Sequence, residues 1–400
     1  MLASLSLIFL VGLAMGAICG QLKLPRIIGM LITGIVLGPY VLVCLDPSIL
    51  SISSELRKIA LIIILLKAGL SLDIKDLKKA GRPAVLLAFV PASCEIIGYV
   101  LLAPVILGVN TVEAAIMGAV LAAVSPAVVV PRMVMLMEQK YGTKKAIPQM
   151  IMAGASCDDI FVIVLFTTFL SMAQGGSAHI MDFVNIPVSI VLGILLGIVF
   201  GLILYLFFET SYAHKHCVRN SMKVIIVLGC SFLLVSIEGW LENKISVSGL
   251  LAVVSMACTL KMKSTAFVSK RLSEKFGKLW IAAEVMLFVL VGAAVDIRYT
   301  LSAGVSALLM IIVALLFRTV GVLICTAKTN LTVKERGFCI IAYLPKATVQ
   351  AAIGSVPLAA GLGCGKIVLS VAVLAIVITA PLGAIGIDNT YKRWLEKEKN

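Results

Sequence analysis

Two adjacent aspartates, Asp158 and Asp159, lie inside an apolar run from roughly Pro148 to Met172, long enough to cross a bilayer. A carboxylate at that depth costs about 2.5–3.5 kcal/mol on insertion scales, so it faces a cavity or a partner and usually handles protons or cations. A structural ion pair is the plainer alternative, but it needs one carboxylate and not two. Successive helix residues sit about 100° apart around the axis, so the two side chains point different ways. One can face a water-filled cavity as the ion-binding group. The other then faces a neighbouring span, held ionised by Lys346 or Arg318. Burial and a second carboxylate favour the protonated form and a nearby cation the ionised one; proton exchange needs these tendencies balanced.

The other charges within spans are few: Glu95, Glu284, Lys67, Arg318 and Lys346. Arginine keeps its charge under all ordinary conditions. Buried Arg318 therefore needs a fixed carboxylate, and Glu95 is the candidate, in a structural or a functional role. Lys67 lies near a span end and can snorkel. Glu284 receives no role.

Two apolar runs are interrupted. One carries Val124-Ser125-Pro126-Ala127-Val128-Val129-Val130-Pro131; the other carries Leu344-Pro345-Lys346-Ala347-Thr348-Val349-Gln350, with Gly354 and Pro357 behind. Proline removes a helix donor and clashes with the preceding turn. At membrane depth the freed backbone groups survive only where protein or a wet cavity satisfies them. Pro126, Pro131, Pro345 and Gly354 thus mark two broken helices. Broken spans in matching positions of two halves point to a transport site where they cross.

The elements that must hold these residues follow from the composition. The chain is 61% hydrophobic and 14% charged, against about 25% charged in soluble domains. It reads as an all-α membrane protein, with about thirteen spans of 17–25 apolar residues. The interrupted spans are the fifth and the twelfth, an odd number apart, so they run in opposite directions. Spans 4–6 and 11–13 then form inverted repeats whose broken helices cross. Lys and Arg mark the cytoplasmic side. With the N-terminus outside and the C-terminus cytoplasmic, only Arg57, Lys58, Lys244, Arg298 and Lys366 fall outside, and Lys67, Arg318 and Lys346 within spans. The net charge of +14 is thereby explained without nucleic acid. Residues 261–278 form either an amphipathic helix on the cytoplasmic surface or a solvated loop. The ten cysteines show no metal-ligand spacing and read as small core residues. An intramembrane aspartyl protease needs its two aspartates on separate spans, so no enzyme is expected. A channel would show a ring of repeated filter residues.

These motifs resemble the cation:proton antiporter superfamily. The Asp158-Asp159 pair is similar to the paired aspartates of bacterial sodium/proton antiporters. The two interrupted segments are similar to the branch containing the animal sodium/hydrogen exchangers of the 9B type. Leu24-Pro25-Arg26-Ile27-Ile28-Gly29, with Gly34 and Leu37-Gly38-Pro39, resembles the second span of the wider superfamily. The likeness covers nearly the whole chain. It implies a homodimer in a cell inner membrane, exchanging Na+ or Li+ for H+ without a cofactor. It implies an elevator-like core of residues 84–172 and 303–386, dimerisation and linker helices at 1–83 and 184–302, and a tail at 387–400. Asp159 matches the principal cation and proton carboxylate and Asp158 its partner. Ser125, Thr348 and the freed carbonyls of the broken helices would add hard oxygen ligands suited to alkali cations. Glu95, Arg318 and Lys346 fit the 9B branch. Arg318 stands where many bacterial relatives carry a lysine, and an arginine locked to Glu95 releases no proton, which favours electroneutral exchange. A K+/H+ antiporter and a sodium-coupled organic solute symporter are the alternatives.

Overall fold

The computed structural model describes residues 1–22, 24–71, 74–174, 180–213, 219–241, 247–296 and 304–398. His179, His214, His216, Lys244 and Arg298 lie outside the described residues. Within them the chain is helical, with one isolated β-bridge between Tyr141 and Lys397. Among the described residues nine helical stretches are long and apolar enough to cross a membrane, two of them, 81–107 and 111–138, each running across two helices.

The chain divides into two compact units. The first comprises Met1–Arg57, Asp73–Gln174 and Val285–Asn400; the second comprises Lys58–Leu72 and Gly175–Glu284. Unit one begins with α1 (Leu2–Gln21), α2 (Arg26–Leu37), the short α3 (Pro47–Ser51) and the start of α4 (Ser53–Ser71). It continues with α5 (Ile74–Leu87), α6 (Val90–Leu107), α7 (Thr111–Ala122), α8 (Pro126–Glu138) and α9 (Ile147–Gln174). Unit two holds the rest of α4 with α10 (Ile180–Ala213), α11 (Asn220–Leu241), α12 (Gly249–Lys263) and most of α13 (Ala266–Ala293). The end of α13 returns to unit one, followed by α14 (Gly304–Thr326), α15 (Val333–Ala342), α16 (Thr348–Ile353), α17 (Val356–Ala359) and α18 (Gly365–Trp394).

Four of the thirteen expected spans have no counterpart among these nine stretches. α2 stops at Leu37 because Gly38-Pro39 follows, and the chain folds back with Leu42 N donating to Val36 O and Cys44 N to Leu37 O. α4 carries Glu55, Arg57, Lys58 and Lys67 within its 19 residues. α12 has only 15 residues. The twelfth span is divided between α15, α16 and α17. Residues 264–265 are all that separates α12 from α13, so the basic segment 261–278 is helical and continuous with the tenth span. Leu272 and Phe276 on its inner face are buried while Lys270, Arg271 and Lys275 are exposed.

Apolar side chains gain little from leaving lipid for protein, so helices in a bilayer associate through close backbone approach and polar bonds. Gly34 on α2 faces the carbonyl of Val289, and a Cβ there would overlap it. Around the core of unit one, Leu87, Val129, Met133, Ile151, Phe338 and Tyr343 are buried together. Arg57, counted among the outside charges, is buried in α4, with Nη1 3.4 Å from Leu290 O. In unit two the Lys67 ammonium lies 5.7 Å from the centre of the Trp280 ring.

The last residues pair with an earlier loop. Gly142 N donates to Glu396 O at 2.8 Å and Glu398 N donates to Lys140 O at 2.9 Å. Thr143 bonds the Glu398 carboxylate, and the Tyr141 and Tyr391 rings meet edge to face at 5.1 Å. Residues 395–398, within the tail expected at 387–400, form a short strap across the turn between α8 and α9.

Candidate functional site

The site is built on two helix interruptions. A reciprocal cap between Asn110 and Glu113 starts α7. It ends at Ala122 because Ser125 precedes Pro126, and the residue before proline is driven out of the helical region. Ala123 and Ser125 are extended, at ψ 142° and 109°. Helix α8 then starts at Pro126, where a missing N–H costs nothing. Pro131 sits inside α8 and does not end it, so the interruption is residues 123–125. In the second half a Thr332–Glu335 cap starts α15, which stops at Ala342, close before Pro345, and α16 begins at Thr348. Gly354 closes α16 before the short α17.

The two interruptions are bonded to each other, Ser125 N donating to Pro345 O at 2.7 Å. The last carbonyls of a helix have no partner within it. Here all three at the end of α7 receive side chains from the second half: Lys346 Nζ bonds Leu121 O, Arg318 Nη1 bonds Ala122 O, and Gln350 Nε2 reaches Ala123 O at 2.7 Å. Three of the freed carbonyls expected to serve as cation ligands thus already carry a protein donor.

Glu95, Asp158, Asp159, Arg318 and Lys346 are all buried. Arg318 reaches Glu95 Oε2 at 2.8 Å, as its burial demanded, and its Nε donates to Tyr343 O at 2.6 Å. Lys346 joins the same carboxylate, with Nζ 2.7 Å from Oε1 and 2.9 Å from Oε2. Of the two bases considered for Asp158, Arg318 is the one in ion-pair contact, at 3.4 Å. Asp158 Oδ2 also accepts from Val124 N at 2.7 Å, which ties it to the first interruption. Asp159 stands next along α9. Asp158 Oδ1, Asp159 Oδ1, Ser125 Oγ and Thr348 Oγ1 are buried and have no hydrogen-bond partner in the protein. Such groups are costly unless something polar meets them.

The sequence reading placed Gln350 in the second interruption without a role. Its signal was an amide in an apolar run, four residues after Lys346. The backbone contributions of Val124 N and Tyr343 O carry no side-chain signal at all.

A family model described as "Sodium/hydrogen exchanger, transmembrane" matches residues 5–391. The chain belongs to the sodium/hydrogen exchanger family. This exchanger is 35% identical over 401 residues to sodium/hydrogen exchanger 9B2 of Homo sapiens, covering 96% of this chain and 73% of that one. It is 33% identical to sodium/hydrogen exchanger 9B1 of Mus musculus over 389 residues, 94% of this chain and 67% of that one. Its fold is similar to the sodium proton antiporter MjNhaP1 of Methanocaldococcus jannaschii, with a TM-score of 0.80 at 20% identity, covering 95% and 94% of the two chains. The exchanger therefore has an antiporter fold and is an integral membrane protein.

Proposed function

We propose that this exchanger moves Na+ or Li+ against H+, and that both compete for Asp159. The observation that carries the assignment is the contrast between the two aspartates. Asp158 is committed through Oδ2 to Val124 N and Arg318, with only its Oδ1 left over, whereas Asp159, its Oδ1 also buried without a partner, makes no ion pair among the described residues. Asp158 Oδ1, Ser125 Oγ and Thr348 Oγ1 are the further hard oxygens for an alkali cation. The relatives named as sodium/hydrogen exchangers and the absence of any soft ligand requirement support alkali cations as cargo.

Charge bookkeeping supports an electroneutral cycle. Three buried acids, Glu95, Asp158 and Asp159, face two buried bases, Arg318 and Lys346. Fully ionised, the cluster holds one uncompensated negative charge, and either one proton or one monovalent cation cancels it. A site carrying both or neither would be harder to move through an apolar barrier.

The finer architecture belongs to the same reading. Thirteen spans place the N-terminus outside and the C-terminus in the cytoplasm, in a cell inner membrane. Residues 84–172 and 303–386 form the moving core, with the interruptions crossing at its centre; the bond from Ser125 N to Pro345 O supports that crossing. Residues 1–83 and 184–302 form the stationary part of a homodimer, and an elevator-like displacement of the core exposes Asp159 to each side in turn.

Asp159→Asn tests the assignment in proteoliposomes, where cation-driven collapse of a pH gradient reports exchange. Exchange is abolished if Asp159 is the shared group; a rate equal to the parent's refutes it.

A further inference from the structure

The three residues that join α7 to α8 are held from three sides. Val124 N is bonded to Asp158 and Ser125 N to Pro345 O. The third hold is the Gln350 side chain. It is completely buried, its Nε2 donates to Ala123 O at 2.7 Å and lies 3.4 Å from Leu121 O, and its Oε1 accepts from Ala347 N at 2.8 Å. One amide thus caps the end of α7 and the start of α16 at once. Only a carboxamide does this in such a place, because it offers two donors and an acceptor without adding charge. A glutamate has no donor for Ala123 O, and a lysine has no acceptor for Ala347 N.

We infer that Gln350 is a positioning residue for cation affinity. Ala123 is two residues from Ser125, whose buried hydroxyl has no partner in the protein. Thr348, with the other unpartnered hydroxyl, opens the helix that contains Gln350. The amide therefore fixes, through one side chain, the backbone on which both hydroxyl ligands stand. A coordinating oxygen displaced by a few tenths of an ångström weakens a small hard cation more than a proton, which needs one oxygen only. The inference rests on the cation site proposed above.

The test uses the whole exchanger in proteoliposomes, with Gln350→Met (similar length, no polar atoms) and Gln350→Glu (acceptor kept, donors lost). Rates are titrated with Na+ and with Li+ at a fixed pH gradient, and thermal unfolding is followed in parallel. The apparent KM is expected to rise about tenfold in both variants, the cost of a buried partner lost. The maximal rate changes less, and the ratio of the Na+ and Li+ KM values shifts. A parent-like KM and KM ratio overturn the inference, whether or not rate and melting temperature fall, since that pattern marks a purely structural amide. Failure of both variants to assemble overturns it for the same reason. Asp159→Asn measured alongside separates the cases: activity retained there refutes the cation site itself, whereas activity lost there with a parent-like KM at Gln350 refutes only the role of the amide.

Discussion

The sharpest quantitative consequence concerns Glu95, the carboxylate shared by two buried cations. Glu95→Gln keeps the shape and removes the charge that Arg318 meets at 2.8 Å and Lys346 at 2.7 Å. Breaking a buried pair from one side costs about 3–5 kcal/mol, because a cation stays behind in low dielectric. Here the Arg318 guanidinium keeps a charged partner, Asp158 at 3.4 Å, but Lys346 keeps only neutral acceptors, the Leu121 carbonyl and the new amide oxygen. Lys346 therefore carries most of the loss. Removing it as well, in Glu95→Gln with Lys346→Met, takes away the stranded charge. The double variant should recover about 1–3 kcal/mol relative to the sum of the singles, the range for residues in direct contact. The assay is reversible unfolding of the purified exchanger, read as a cycle of four proteins. Costs that add to within about 0.5 kcal/mol would mean the two groups are independent, and the shared-carboxylate account of the cluster would be wrong.

Three further outcomes follow from the geometry. Arg318→Lys substitutes a group that can lose its proton for one that cannot, so exchange should become sensitive to membrane potential; transport as insensitive as the parent's would argue against the electroneutral cycle. Ser125→Ala and Thr348→Ala each remove a buried hydroxyl that bonds nothing in the protein; cation KM should rise several-fold with stability unchanged or slightly higher, and an unchanged KM would exclude that hydroxyl as a ligand. In the first turn of α15, burial of Glu335 acts to raise its pKa, but hydrogen bonds from Lys145 and Thr332 outweigh it and hold the carboxyl below the ordinary 4.5. Its stabilising effect is complete above that value and lost as pH falls through the lowered folded-state pKa, so Lys145→Met should flatten the acid limb of a melting-temperature profile.

Much of the site was legible in the sequence because lipid makes polar groups conspicuous. Asp158 and Asp159 stand out in an apolar run, and Ser125-Pro126 and Pro345-Lys346 stop helices for reasons local to each dipeptide. Arg318 had to find an acid, and Glu95 was the suitable one. The sharing of Glu95 by Lys346 was not legible, since matching charges one to one assigns each base its own acid. Nor was the occupation of the Leu121, Ala122 and Ala123 carbonyls, because backbone acceptors look alike at every position. The burial of Arg57 was not legible for a different reason: at the border of a hydrophobic segment, composition does not say whether the side chain turns to solvent or to protein.

The pairing of residues 395–398 with the turn at 140–143 has a practical side. A fluorophore or affinity handle attached just beyond that segment would ride on the same body as Arg132 and Asp388, which are joined by a two-point ion pair. It would follow those helices with little slack. The same coupling means that bulk added there bears on the Arg132–Asp388 contact, so a reporter for kinetics belongs elsewhere on the chain.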